Sequence, residues 1–170
     1  MIRRCQEADF DRIAAVINDS AQAYQGIIPQ DCWTDPYMGQ GELQEEIRQG
    51  VLFWGYEEDD EVVAAMGIQY LQDVTLIRHA YVRTSRRQQG IGGQMLAFLK
   101  GQTTQPLLIG TWADAVWAVG FYEKHGFKKV SEQEKDRLLA KYWSISDRQI
   151  ETSVVLADEK WWGKNLTPNP

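Results

Sequence analysis

One stretch constrains the chain more than any other: Tyr81-Val82-Arg83-Thr84-Ser85-Arg86-Arg87-Gln88-Gln89-Gly90-Ile91-Gly92-Gly93. An apolar, strand-like run ends where it begins, and an apolar run of helical spacing follows it. It therefore joins a strand to a helix through a polar, glycine-rich turn. Its three glycines accept unusual dihedrals and let the backbone come close to a ligand. The helix behind it aims unpaired N–H groups and the positive end of its dipole into the turn. That arrangement suits a phosphate or pyrophosphate, and Arg83, Arg86 and Arg87 add positive charge.

Three phosphate-binding patterns compete for this turn. A Walker loop needs Gly-Lys followed by Ser or Thr, and the chain has none. A dinucleotide fingerprint needs a third glycine where Met95 stands. The pattern Arg/Gln-x-x-Gly-x-Gly/Ala is met at every position by Arg87-Gln88-Gln89-Gly90-Ile91-Gly92. The bland alternative to all three is a connecting turn with solvated arginines.

Around this turn the periodicities predict a strand at 2–5, then a helix with Phe10, Ile13, Ile17 and Ala21 on one face and Asp9 as its cap. Residues 24–40 have no clear period, and a short acidic helix ends at Gly50. Strands are expected at 51–56, 62–70 and 75–82, the first two joined by the acidic turn 57–60. A helix at 91–100, a strand at 107–111 and a helix to Lys124 capped by Asp114 come next. A strand at 127–130, a helix at 134–143 and a strand at 152–157 complete the pattern. Several strands precede the first strand–helix alternation, so the fold class is α/β with a mixed central sheet flanked by helices.

With 170 residues the chain suits one domain, taken as 1–162, with a loose tail at 163–170. Its net charge of −6 argues against general attraction to nucleic acid or anionic membrane, and favours a cationic acceptor. Cys5 and Cys32 match no zinc spacing, and no His/Cys/Asp cluster has metal-ligand spacing. Two isolated thiols, and an N-terminus without the apolar stretch of a signal peptide, suggest a reduced cytoplasmic protein. The most apolar run, 106–121, is broken by Gly110, Asp114 and Gly120 and is not a membrane span.

The glycine turn resembles the acetyl-CoA-binding motif of the GNAT family of N-acetyltransferases. A second segment, Ala118-Val119-Gly120-Phe121-Tyr122-Glu123-Lys124-His125-Gly126-Phe127, resembles that family's Ala-x-x-Phe-Tyr-x-x-x-Gly-Phe pattern. The family often carries Asn three residues before that alanine, where this chain has Ala115, which removes one cofactor contact. The resemblance implies a sheet whose parallel strands, 76–82 and 107–111, splay apart. Acetyl-CoA would be the donor substrate, attacked directly by a small-molecule or peptide amine without a covalent enzyme intermediate.

By the same resemblance the donor site comprises Tyr81, Val82 and Arg83 at the strand end, with Arg87, Gln88, Gln89, Gly90, Ile91, Gly92 and Gly93 in the loop. Pantetheine would pair with the main chain at Val82, and amides near Tyr81 and Val82 would hold the oxyanion. Tyr122 would protonate the departing thiolate; the alternative is a core aromatic sharing a face with Ala115, Ala118 and Val119. His79 is the candidate base, against a plain hydrogen-bonded sheet histidine, and it lies opposite Val82 unless a bulge intervenes. Tyr24, Ile28, Trp33 and Tyr37, with Met38 and Trp54, would wall the acceptor pocket, or else pack as a satellite core under a long loop. Trp161-Trp162 would close the pocket or form a homodimer contact. A non-catalytic acyl-CoA-binding module and a nucleotide-phosphate enzyme are the competing functions.

Overall fold

The computed structural model describes residues 1–165. Its seven strands form one sheet in the order β1-β2-β3-β4-β5-β7-β6. The strands are β1 (Ile2–Arg4), β2 (Leu52–Glu58), β3 (Glu61–Tyr70), β4 (Thr75–Val82), β5 (Leu107–Trp112), β6 (Lys128–Lys129) and β7 (Ser153–Ala157). Only β4 and β5 pair in parallel; every other pairing is antiparallel. The β2–β3 hairpin turns at Asp59 and Asp60, both left-handed (φ 48° and 62°), as a tight two-residue loop with right-handed strand twist requires.

The helices are α1 (Phe10–Ala21), α2 (Gln40–Arg48), α3 (Ile91–Lys100), α4 (Val116–Lys124), α5 (Glu132–Tyr142), α6 (Asp147–Glu151) and α7 (Glu159–Asn165). They cover the sheet unequally. One face carries α3 and α4, whose Met95, Leu96, Leu99 and Tyr122 pack on Met66, Ile68, Ile77 and Ile109. The opposite face is divided. Over β2 and β3 lie α1 and α2, through Ile13, Ile17 and Leu43 against Phe53, Val62 and Ala65. Over β5 and β7 lie α5 and α7, through Leu138, Leu139 and Trp161 against Leu108, Val155 and Ala157. Between these two patches the face is left to a cluster of Tyr24, Ile28, Trp112 and Ala115.

Three expectations need correction. Asp9 occupies the N-cap of α1 without capping it. Its carboxylate accepts from Arg3 Nη1 and Nη2 at 2.7 and 2.9 Å and from the Gln6 amide at 2.8 Å. A forked guanidinium outcompetes a helix amide for the same oxygens, and it holds the Asp9 carboxyl down at about 2. Asp114 likewise does not cap α4; Ala115 holds that place, and the Asp114 carbonyl takes the Val116 amide at 2.9 Å. The segment expected to be loose from Gly163 is helical as far as Asn165, and its remainder, 166–170, lies outside the described residues. Two short helices, α6 and α7, were not expected. Among the described residues no helix is long and apolar enough to cross a membrane.

Candidate active site

The site begins with a failure of pairing. Strands β4 and β5 share a ladder only from Thr75↔Leu107 to Ile77↔Ile109, then part. The cause lies one strand over. Between Ala65 and Gly67 the β3–β4 register slips, so β4 carries one residue more than β3. The extra residue is accommodated at His79, which is left-handed at φ 52°. A bulge of this kind bends its strand and raises its twist. Gly67 faces the bulge; a Cβ there would stand 2.9 Å from the Arg78 carbonyl oxygen.

The bulge also settles side-chain directions. Arg78 and His79, though adjacent, both reach toward α2, while Ala80 and Val82 pack on the α3–α4 side. His79 is therefore opposite Val82 even with the bulge present. The Arg83 amide donates to the Val63 carbonyl at 2.8 Å. Alternation along the ladder then commits Tyr81 to Ala65 and turns the Val82 N–H and C=O into the gap.

On the α3–α4 face the gap opens into a cleft of about 770 Å³, lined by Val82, Arg86, Arg87, Gln88 and Gly90 through Gly93. Gln88 and Gly90 are both left-handed (φ 61° and 79°), a backbone form that gathers amides into an anion-binding concavity. Gly90 is the N-cap of α3, and no side chain caps that helix, so its first amides face the cleft. Gly93 is needed for a different reason: a Cβ there would sit 2.8 Å from His125 Nε2 on α4. The arginines are anchored rather than loose. Arg87 Nη2 donates to the Ser20 carbonyl at 2.8 Å, and Arg86 lies 3.5 Å from Glu58. Arg83 turns away, its Nε donating to the Val62 carbonyl at 3.2 Å, and neither Arg83 nor Gln89 lines the cleft.

On the opposite face the gap is a crevice of about 140 Å³, walled by Tyr37, His79, Thr111, Trp112, Trp143 and Gln149. Trp112 Nε1 donates to the Tyr37 hydroxyl at 2.9 Å, which ties β5 to the irregular 22–39 segment. Tyr24 packs against Tyr37 and Tyr81, with ring centroids 5.8 and 6.2 Å apart. Trp33 stands behind Tyr37 at 5.7 Å, and Ile28 is buried in the cluster beneath; neither reaches the crevice. Met38 is buried against α1 and α2, and Trp54 lies on the other face of the sheet against Phe98. Trp161 and Trp162 pack beneath β5 and β7, away from the crevice. No Asp or Glu is among the crevice's described lining residues.

Cleft and crevice share four residues: Tyr24, Ala80, Tyr81 and Tyr122. Burial dominates the chemistry of their phenols. It pushes Tyr24 up to about 12, with Tyr37 adding to the effect and Tyr81 and Thr111 opposing it. Burial likewise raises Tyr37, Tyr81 and Tyr122. At neutral pH Tyr24, Tyr37, Tyr81 and Tyr122 are all protonated, so none of them serves as a base.

Trp143, Gln149 and Thr111 were missed in the sequence. The helix that brings Gln149 in has a readable signal: Ser146 and Gln149 form a reciprocal capping box, the Ser-x-x-Gln pattern.

The acetyltransferase (GNAT) domain family matches residues 17–140. A GNAT-family acetyltransferase from Staphylococcus aureus is 18% identical, with 93% of this chain and 97% of that one covered and a TM-score of 0.69. PaiA N-acetyltransferase from Thermoplasma acidophilum, solved with coenzyme A, is 17% identical over 93% and 97%, with a TM-score of 0.67. The ribosomal-protein-S18-alanine N-acetyltransferase of Escherichia coli is 14% identical over 93% and 92%, with a TM-score of 0.62. These likenesses concern the fold. Together with the domain match over most of the length, they establish that the chain belongs to the GNAT acetyltransferase family.

Proposed function

We propose that the chain transfers an acetyl group from acetyl-CoA to an amine at the β4–β5 gap. One observation carries the reading: a large donor-side cleft and a small aromatic crevice enter from opposite faces and meet at Tyr24, Ala80, Tyr81 and Tyr122. The cleft suits the donor, because its floor is backbone amide at an uncapped helix start.

When bound, acetyl-CoA supplies an activated acyl thioester. The loop amides from Gln88 to Gly93 hold the pyrophosphate, and the main chain at Val82 pairs with the pantetheine. The Val82 N–H is the fixed donor for the developing oxyanion. Tyr122, facing both cavities, gives its proton to the departing sulfur. Its apolar surroundings raise the proton affinity of a thiolate as well as its own, so the transfer stays matched. His79 takes the proton of the attacking amine. The crevice favours an amine on a small apolar or aromatic body, because its walls are largely rings and its polar groups are hydroxyl, amide, imidazole and the Arg78 guanidinium, which Glu46 neutralises. The free thiols Cys5 and Cys32 suit a reducing, cytoplasmic setting.

The test is thiol release from acetyl-CoA in the presence of aryl amines, alkyl amines, amino acids and a short peptide. We expect release with at least one class. Tyr122→Phe is expected to lower kcat by about 100-fold or more while leaving KM for acetyl-CoA within about twofold. Equal turnover without the hydroxyl would remove Tyr122 from the chemistry. Tight acetyl-CoA binding with no amine-dependent release would favour a non-catalytic acyl-CoA-binding module.

A further inference from the structure

The β4 bulge aims two consecutive residues at one buried carboxylate. Glu46, on α2, accepts from Arg78 Nη2 at 2.9 Å on Oε1, while its Oε2 lies 2.9 Å from the same nitrogen as an ion-pair contact only. His79 Nε2 lies 3.2 Å from the same Oε2. The three side chains are only 16%, 12% and 15% exposed. Arg78 is held from its other side by Gln69 Oε1 at 3.1 Å, and Gln69 in turn donates to the Gln49 carbonyl at 3.0 Å. The ring of His79 lies along Phe53, with centroids 6.0 Å apart and planes 28° from parallel. His79 Nε2 and Glu46 Oε2 are both buried, and neither has a hydrogen-bond partner among the described residues, so each is the other's nearest unsatisfied polar neighbour at 3.2 Å.

We infer that Glu46 is the positioning residue for His79, fixing the imidazole with Nε2 toward the carboxylate so that Nδ1 faces the crevice and accepts the amine's proton. This inference rests on the acetyl-transfer reading above and adds to it a residue from outside the crevice. Arg78 and Glu46 neutralise each other without help, so charge balance alone does not call for the histidine. Yet the backbone at His79 adopts a left-handed form that side chains rarely take, the kind of strain that gathers at functional sites.

The crevice also offers no rival acceptor. Its described titratable lining consists of Tyr24, Tyr37, Tyr81 and Tyr122, all pushed toward the protonated form, together with Arg78 and His79. The charged groups beside the imidazole are Arg78 on its own strand and Glu46 on α2, with Glu42 of α2 acting on Arg78. Burial raises the Glu46 carboxyl, but His79 and Arg78 outweigh it and hold it below its usual range. The carboxylate is therefore charged when the imidazole takes its proton.

The step balances. The amine nitrogen bonds to the acyl carbon and its proton moves to His79 Nδ1. The C–S pair leaves with sulfur, which takes the Tyr122 proton. The imidazolium then returns a proton through solvent to the tyrosinate, and the chain is restored.

The experiment uses the whole chain labelled with 15N-histidine, the signals of its two histidines being assigned with His79→Gln. Ring-nitrogen shifts above the imidazole titration are expected to show His79 as the Nε2–H tautomer; the Nδ1–H tautomer would overturn the proposal. With acetyl-CoA and 2-phenylethylamine as the probe pair, His79→Gln is expected to lower kcat by about 100-fold or more. Glu46→Gln should lower it by about tenfold or more, with KM for acetyl-CoA unchanged in both. Unchanged kcat in His79→Gln, which keeps the Arg78–Glu46 pair, would overturn the proposal even if Glu46→Gln does not fold. If the unaltered chain does not bind acetyl-CoA at all, the acetyl-transfer reading falls and takes the dyad's task with it. The tautomer still reports whether the pair exists.

Discussion

The two sides of the β4–β5 gap are made of different material. On the α3–α4 side the chain presents backbone: left-handed Gln88 and Gly90, the uncapped start of α3, and the free edge of β4 at Val82. On the other side it presents rings and hydroxyls from Tyr24, Tyr37, Trp112 and Trp143. A backbone cradle reads what every acyl-CoA donor shares, its pyrophosphate and amide-bearing arm. A wall of side chains reads shape, and changing it changes which molecule fits. On the proposed function, the difference makes donor binding and acceptor choice separable, with Tyr122 lining both sides of the gap.

That separation can be broken first at Gly90. A β-branched side chain at its φ of 79° costs about 1–3 kcal/mol and misaims the α3 amides. Gly90→Val should therefore weaken acetyl-CoA binding by roughly 10- to 100-fold, read by calorimetry. Unchanged affinity would show that the cradle does not depend on its backbone form.

A change outside both sides sharpens the contrast. The Asp9 carboxyl, 7% exposed and paired with Arg3, is held down at about 2. A depressed carboxyl stabilises the fold above its unfolded value near 4, and that stability is lost as pH falls through about 2. Asp9→Asn should cost about 2 kcal/mol of folding stability at pH 7. The deficit should shrink between about pH 4 and pH 2, as the native carboxyl is itself protonated. Turnover per folded molecule should not move. A pH-independent deficit in denaturant melts would mean that the ion pair is not what Asp9 contributes.

The smallest effect belongs to the acceptor wall. Tyr37→Phe removes the acceptor of the Trp112 Nε1 hydrogen bond. It should cost about 1 kcal/mol, seen as a KM for the amine raised by about fivefold. The acetyl-CoA constant should stay where it was; a matching loss there would join the two sides that the structure keeps apart.

The same contrast explains what could be read from residues alone. The donor turn was legible because its determinants are consecutive, from Tyr81 to Gly93, and because backbone devices leave glycines behind. The strands and most helices were legible from their periods. The crevice wall was legible only at Tyr24 and Tyr37, because it is assembled across the chain. Tyr37 meets Trp112 over a separation of 75 residues. Trp33 shares the aromatic character of Tyr24 and Tyr37, and Ile28 their apolar bulk, but neither shares their position, and nothing local sets the two pairs apart. The bulge at His79 left one trace, the adjacent charged-or-titratable pair Arg78-His79 in the middle of a mostly apolar strand. Which carboxylate that pair would meet depends on the packing of α2, which no spacing encodes. Asp9 and Asp114 stood where caps stand; Arg3 claimed the first, and a turn of backbone replaced the second.

The most direct measurement is a calorimetric titration of the intact chain with acetyl-CoA, with ATP and NADPH as controls. One site with micromolar affinity for acetyl-CoA, and no comparable heat from ATP or NADPH, is the expected result. Absence of acetyl-CoA binding, or equal binding of all three, would mean that the glycine turn and the gap beside it are not an acyl-CoA site.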